Sequence, residues 1–319
     1  MAQGKWTRRQ ALIRAAAAGA GALVRGASDV VAAAPQQTFP PAAQPATPVN
    51  FAVPRGACDC HLHMIDPRRF PFADSAGRES ASAEESEALH RALHIDRVVL
   101  IQSGSYGADN RCLLDGLQRL GSRARGVVVV TDKTSDAQLD AWDRAGIRGT
   151  RLMGGEGISA SPDDRKRLQA ATQRLAGRTW HVNTAVQFSA LEGLQDLLLA
   201  SPVPVVIDHF AAAQASRGVQ QSGFDVLLTL VRSGKIYLKV SREYGISTQA
   251  LDYPDVAPLA RALVAANPQR ILWASDWPHV NGPKGVDDGR IFNQFAVWVP
   301  DSVQRKTVLV DNPARLYGF

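Results

Sequence analysis

Only three cysteines occur in the 319 residues, Cys58, Cys60 and Cys112. An odd number, two of them a single residue apart, argues against a disulfide framework, and no CxxC pair points to a structural zinc. The chain also lacks any run of about 18–20 consecutive apolar residues, so no segment reads as a transmembrane span and stable membrane insertion is not expected. No GxGxxG or GxxxxGK[ST] follows a strand-like run, which leaves nucleotide binding without a motif. Charge of one sign is scarce as well. The formal net charge is +6, and +4 of it sits in the first 34 residues, where Lys5, Arg8, Arg9, Arg14 and Arg25 face Asp29 alone. The remainder is near neutral, with no basic stripe interleaved with aromatics, so nucleic acid is not an expected partner. What is left, 45% hydrophobic and 21% charged, is the composition of a globular protein. Its length suits two small domains or one large α/β barrel.

Residues 1–34 read as an address. Thr7-Arg8-Arg9-Gln10-Ala11-Leu12-Ile13 resembles a twin-arginine export signal, followed by a weakly apolar stretch to Val24 and the small residues Val31-Ala32-Ala33-Ala34. The expectation is a periplasmic or secreted protein that engages the export machinery. Residues 35–55, rich in Pro, Ala, Gln and Thr and without periodicity, read as a flexible or extended linker.

From residue 56 onward, eight short apolar runs alternate with helix-like segments. The runs are Ala57–Ile65, Arg97–Gln102, Gly126–Thr131, Gly149–Met153, Thr179–Val186, Val203–Asp208, Ile236–Val240 and Arg270–Ala274. Their starts are about 25–40 residues apart, room for one helix and two loops each. Such alternation implies a parallel sheet, and eight units over residues 56–319 predict a single (β/α)8 TIM-type barrel, with an open doubly wound sheet as the alternative. In a barrel the chemistry lies at the C-terminal ends of the strands. His61 and His63, two apart on the first run, point the same way. His209 ends the sixth run and Asp276 follows the eighth, which adjoins the first when a barrel closes. Each taken alone is weak; their convergence is the signal.

The stretches Asp59-Cys60-His61-Leu62-His63, Ile207-Asp208-His209 and Ser275-Asp276-Trp277-Pro278-His279 resemble the amidohydrolase superfamily, in its amidohydrolase-related branch. Further stretches, among them Gly146–Arg151, Leu238–Ser241 and Val310–Tyr317, make the chain similar to 2-pyrone-4,6-dicarboxylate hydrolase and related lactonases from about Gly56 to Tyr317. The resemblance implies a distorted (β/α)8 barrel that hydrolyses a small anionic lactone. It also implies that Asp276 is the general base, that His61, His63 and His209 bind and polarise the lactone carbonyl, and that Arg151 grips a substrate carboxylate. The chemistry agrees: ester opening by water needs a base and stabilisation of an oxyanion. Arg242, Tyr106, Tyr244 and Asn183 are further candidate substrate contacts.

A metal is not expected. Metal-dependent amidohydrolases usually add a carboxylated lysine or glutamate on strand four and a histidine near the end of strand five. Here strand four carries no lysine, and His181 sits early in its run, about 13 Å below Ala185 at 3.3 Å per residue. The alternative is one Zn2+ on His61, His63 and Asp276. The chain departs from the dicarboxylate hydrolase pattern at Ala185, where an aromatic hydroxyl is expected, and at Ser241–Gly245. The reaction type therefore transfers better than the substrate: a pyrone dicarboxylate, a sulfonated muconolactone and a sugar-acid lactone all remain open. The rivals are a metal-dependent decarboxylase of the same superfamily, a lactone isomerase and a non-catalytic exported binding protein.

Overall fold

The computed structural model describes residues 39–72, 78–249 and 251–319. The export signal read at residues 1–34 lies outside these described residues. Eight parallel strands, each bonded to the next, run in chain order: β1 Cys58–Leu62, β2 Arg97–Ile101, β3 Ala124–Val128, β4 Ile147–Leu152, β5 His181–Thr184, β6 Val205–Ile207, β7 Ile236–Val240 and β8 Ile271–Trp273. Helices α1 Ala83–Leu93, α2 Arg111–Leu120, α3 Asp136–Arg144, α4 Pro162–Arg174, α5 Leu191–Ala200, α6 Phe224–Arg232 and α7 Ala257–Ala266 fill the intervals. The chain is a (β/α)8 barrel. After β8 the chain forms α8 Asp288–Trp298, α9 Ser302–Lys306, a π-turn Thr307–Asp311 and α10 Asn312–Tyr317.

Local chemistry sets the helix starts. Ser82 caps α1 and Glu85 returns the bond to the Ser82 amide, a reciprocal box; Ser135 caps α3, and Ser161 caps α4 ahead of Pro162. Each such cap contributes about 1 kcal/mol. The strands bury both faces. Cys58, Cys60, Val99, Ile101, Val127, Val206 and Leu272 fill the lumen, and Tyr317 from α10 packs into the same cluster from below.

Two features position the site. Between Asp59 and Leu62, three steps on β1 face two on β2, Val98 to Leu100. This bulge lets Cys60 belong to the lumen cluster while His61 and His63 also turn inward. Second, the barrel closes by a stitch rather than a ladder. Asp276 N–H donates to His61 O (2.9 Å), His63 N–H donates to Trp277 O (2.9 Å), and the Asp59 carboxylate accepts from Ser275 N–H (3.0 Å) and the Ser275 hydroxyl. The residues around Asp276 are thus pinned to β1 on both sides.

The stretch expected to be a flexible linker is bound along the barrel. Phe39 and Ala42 are buried, and Ala42 and Pro40 exchange backbone bonds with Ser80. Thr47 donates twice to Asp287, Asn50 N–H donates to Asn293, and the Trp277 indole donates to Ala43 O at 2.8 Å. Gly289 is required beneath this strap, because a Cβ there would stand 1.9 Å from Thr47 O. An extended chain whose partners lie some 240 residues away leaves no periodicity to read. No helix among the described residues is long and apolar enough to cross a membrane.

Candidate active site

The C-terminal ends of the strands surround a cleft of about 710 Å³. His63, Arg151, His209, Arg242 and Asp276 line it, with Ser103, Ser105, Ala185 and Asn281. His209 (φ 54°), Arg242 (φ 60°) and Asp276 (φ 63°) each lie in the left-handed region just past their strands. For residues with a Cβ this costs on the order of 1–3 kcal/mol apiece, and such strain concentrates where side chains are aimed at a ligand.

Asp276 is the centre. Three imidazole nitrogens face its Oδ1: His61 Nε2 at 3.5 Å, His63 Nε2 at 3.7 Å and His209 Nε2 at 3.7 Å. Its Oδ2 accepts from the Tyr244 hydroxyl at 2.7 Å, and Arg242 Nε lies 3.9 Å away. Burial alone would raise the Asp276 carboxyl, but His209, His61, His63 and Arg242 outweigh it and hold the group well below the usual carboxylate range. The imidazoles are pushed the other way. Burial, with Arg151 adding to it, lowers His63 to about 4; burial also lowers His209, and burial and Lys239 lower His61. At neutral pH the arrangement is an ionised carboxylate ringed by neutral imidazoles, which suits a base.

Each imidazole is held from behind. His63 Nδ1 donates to Ile101 O at 2.9 Å, and His209 Nδ1 meets the Ser241 hydroxyl at 2.9 Å. His61 Nδ1 lies 3.2 Å from Asp208 Oδ1 and 3.2 Å from Lys239 Nζ. Lys239 and Asp208 are fully buried, 3.0 Å apart, and Asn183 joins them, accepting from Lys239 at 2.6 Å and donating to Asp208 at 2.6 Å. Behind Tyr244, His279 Nδ1 meets the hydroxyl at 3.3 Å and His279 Nε2 meets Asp288 at 3.1 Å.

The sequence candidates divide accordingly. Asp276, His63, His209, Arg151 and Arg242 come together at the cleft. His61 reaches Asp276 but is closed off from the cleft, with a side chain of zero exposure. Three candidate substrate contacts do not line the cleft. Tyr106 accepts from Asp66 N–H at 3.1 Å and packs on Phe72, Asn183 belongs to the Lys239–Asp208 network, and the Tyr244 hydroxyl donates a hydrogen bond to Asp276. In each case the polar group has a protein partner. His181 lies deep in the barrel, edge-on to Tyr317, in space left by Gly149, where a Cβ would come within 2.7 Å of its ring. Lys239, Asp208, Ser241 and His279 stood in the quoted motifs without a role, and Asp288 lay outside them. A lysine inside an apolar strand was the available signal, since lysines are almost never buried unpaired.

His61, His63 and Asp276 bring three ligand atoms within 4.8 Å of one another, as do His61, Asp208 and His209. Charges act both ways on these imidazoles: Arg151 disfavours positive charge on His63, Arg242 and Lys239 on His209, and Lys239 on His61, while Asp276 favours it on all three and Asp208 on His61 and His209.

A model of the amidohydrolase family matches residues 58–319. The chain is 33% identical to a 4-sulfomuconolactone hydrolase of Rhizobium radiobacter, over 89% of this chain and 98% of the relative. It is 34% identical to a 2-pyrone-4,6-dicarboxylate hydrolase of Comamonas testosteroni, over 86% and 94%. It is 29% identical to a D-galactarolactone isomerase of Agrobacterium fabrum, over 85% and 94%.

Proposed function

The chain belongs to the amidohydrolase family, and from that premise we propose that it is an ester-bond hydrolase that opens the ring of a small anionic lactone, with Asp276 as the base that activates water. The observation that carries this reading is the Asp276 carboxylate, anchored through Oδ2 by Tyr244 while Oδ1 faces the imidazoles at 3.5–3.7 Å. Oδ1 takes a proton as the water oxygen bonds to the lactone carbonyl carbon. His209, 12% exposed and at the cleft wall, donates from Nε2 to the developing oxyanion. The tetrahedral intermediate then collapses, the ring C–O bond breaks, and the proton on Asp276 passes to the departing oxygen. Arg151, its Nη1 anchored on Gln102 O at 2.5 Å, and Arg242 offer guanidinium groups to a carboxylate or sulfonate of the substrate. The relatives support a lactone as substrate class; a sulfonated muconolactone, a pyrone dicarboxylate and a sugar-acid lactone are the three to compare.

No metal is required in this reading, and Arg151, Arg242 and Lys239, which disfavour positive charge on the imidazoles, support that. The protein works in the periplasm or outside the cell, exported by the twin-arginine route; the ordered signal elements of residues 1–34 support this. Replacing Arg8 and Arg9 by lysine should leave the protein in the cytoplasm, and unchanged fractionation would sink the export reading.

The decisive assay is hydrolysis of the three lactone classes by chelator-treated protein, with and without zinc, beside Asp276→Asn. Metal-free turnover lost in Asp276→Asn is expected. Turnover only with zinc overturns the metal-free reading. Ring migration without ring opening makes it an isomerase, and binding without turnover makes it a binding protein.

A further inference from the structure

Four groups beneath the cleft form a chain of close contacts. Lys239 Nζ stands 3.2 Å from His61 Nδ1, His61 Nε2 stands 3.3 Å from His63 Nε2, and His63 Nδ1 stands 2.9 Å from Ile101 O. Its two ends cannot reverse: an ammonium only donates and a carbonyl only accepts. If every link is a hydrogen bond, a single direction is allowed. Lys239 donates to His61 Nδ1, His61 Nε2–H donates to His63 Nε2, and His63 Nδ1–H donates to Ile101 O.

Asp208 competes for His61 Nδ1 at 3.2 Å, and the count of partners decides between them. Asp208 has an acceptor bond on each oxygen without His61, from Lys239 on Oδ1 (3.0 Å) and from Asn183 on Oδ2 (2.6 Å). Lys239 has three N–H groups and three acceptors in reach, Asp208, Asn183 and His61. If His61 Nδ1 carried the proton, one N–H of a fully buried ammonium would lose its partner, at a cost of about 1–3 kcal/mol or more.

We propose that Lys239 is the positioning residue that writes the tautomer of His61, placing its proton on Nε2, and that this proton keeps the His61–His63 pair from chelating a divalent metal. Ligation through both Nε2 atoms needs a lone pair on each, and here one is a donor. The inference rests on the metal-free reading of the site but adds its cause. Without Lys239, His61 Nδ1–H would turn to Asp208, the carboxylate–histidine arrangement that supports metal ligands. The chain therefore carries a latent metal site disabled by one lysine.

The test reads protons and zinc, so it can fail while the lactone assay succeeds, and the reverse. In the unaltered protein with 15N-labelled histidine, His61 is assigned by its loss in His61→Gln. Its spectrum should be that of the neutral Nε2–H form at neutral pH; the Nδ1–H form overturns the proposal. By calorimetric titration, Lys239→Met should bind zinc at least tenfold more tightly than the unaltered chain, with His61 shifting to the Nδ1–H form. Equal zinc affinity in the two proteins also overturns it. Should Lys239→Met fail to fold, the spectrum of the unaltered protein decides alone.

Discussion

The two ends of the barrel lumen both hold buried histidines, and they are built differently. At the floor, His181 is buried against Tyr317, burial lowers it to about 3, and neither ring nitrogen has a hydrogen-bond partner. At the mouth, His61, His63 and His209 are also largely desolvated, yet each has a partner behind Nδ1 and a shared carboxylate before Nε2. Burial and a displaced titration are common to both ends. What separates a packing histidine from a working one is that its second nitrogen is fixed, so that the first can be aimed.

Substitutions can break this contrast, beginning where the loss should be greatest. Asp276→Asn keeps the shape of the mouth but removes the proposed base, and kcat/KM for the best lactone should fall by about 10²–10⁴. His209→Gln should cost about 10²–10³ in kcat with KM little changed, as expected for one oxyanion donor. Arg151→Met should act mainly on KM, by about 10–100-fold, the range of a lost charged hydrogen bond, and more for the anionic lactone than for a neutral analogue. At the floor, His181→Leu should leave kcat/KM unchanged and stability within about 1 kcal/mol, since both removed polar atoms lack partners. A tenfold activity loss there would dissolve the distinction between floor and mouth.

Glu243 acts on the pH dependence of stability rather than on turnover. It is buried beside the site, and burial raises it from 4.5 to about 8. Between those values the folded form keeps a proton that the unfolded chain has released, so this group's contribution to stability falls as pH rises through that window. Melting temperatures of Glu243→Gln should show a shallower decline across the same window. An identical decline in both proteins would remove the carboxyl as its cause.

Much of this was legible in the sequence. Period and spacing gave eight strands with a helix in each interval; the run Ile236–Val240 agrees with β7 to the residue. Asp276, His63 and His209 could be read because a polar residue ending an apolar run in a barrel has one place to go. Lys239 and Asp208 were missed because their meaning lies in contacts across three strands, β5, β6 and β7, which no local spacing encodes. The protein partners of Tyr244 and Asn183 were hidden for the same reason: sequence supplies the polar group but not the protein partner that satisfies it. The strap from Phe39 escaped because its partners, the Ser80 backbone and side chains of the β8–α8 region, are none of them local in the chain.

That strap also leaves the two sides of the barrel differently free. Ala43 accepts from the Trp277 indole at the mouth, while the Phe319 ring packs beside Arg97 and Arg125 at the floor. A solid support attached at the carboxyl end would therefore leave the mouth facing solution.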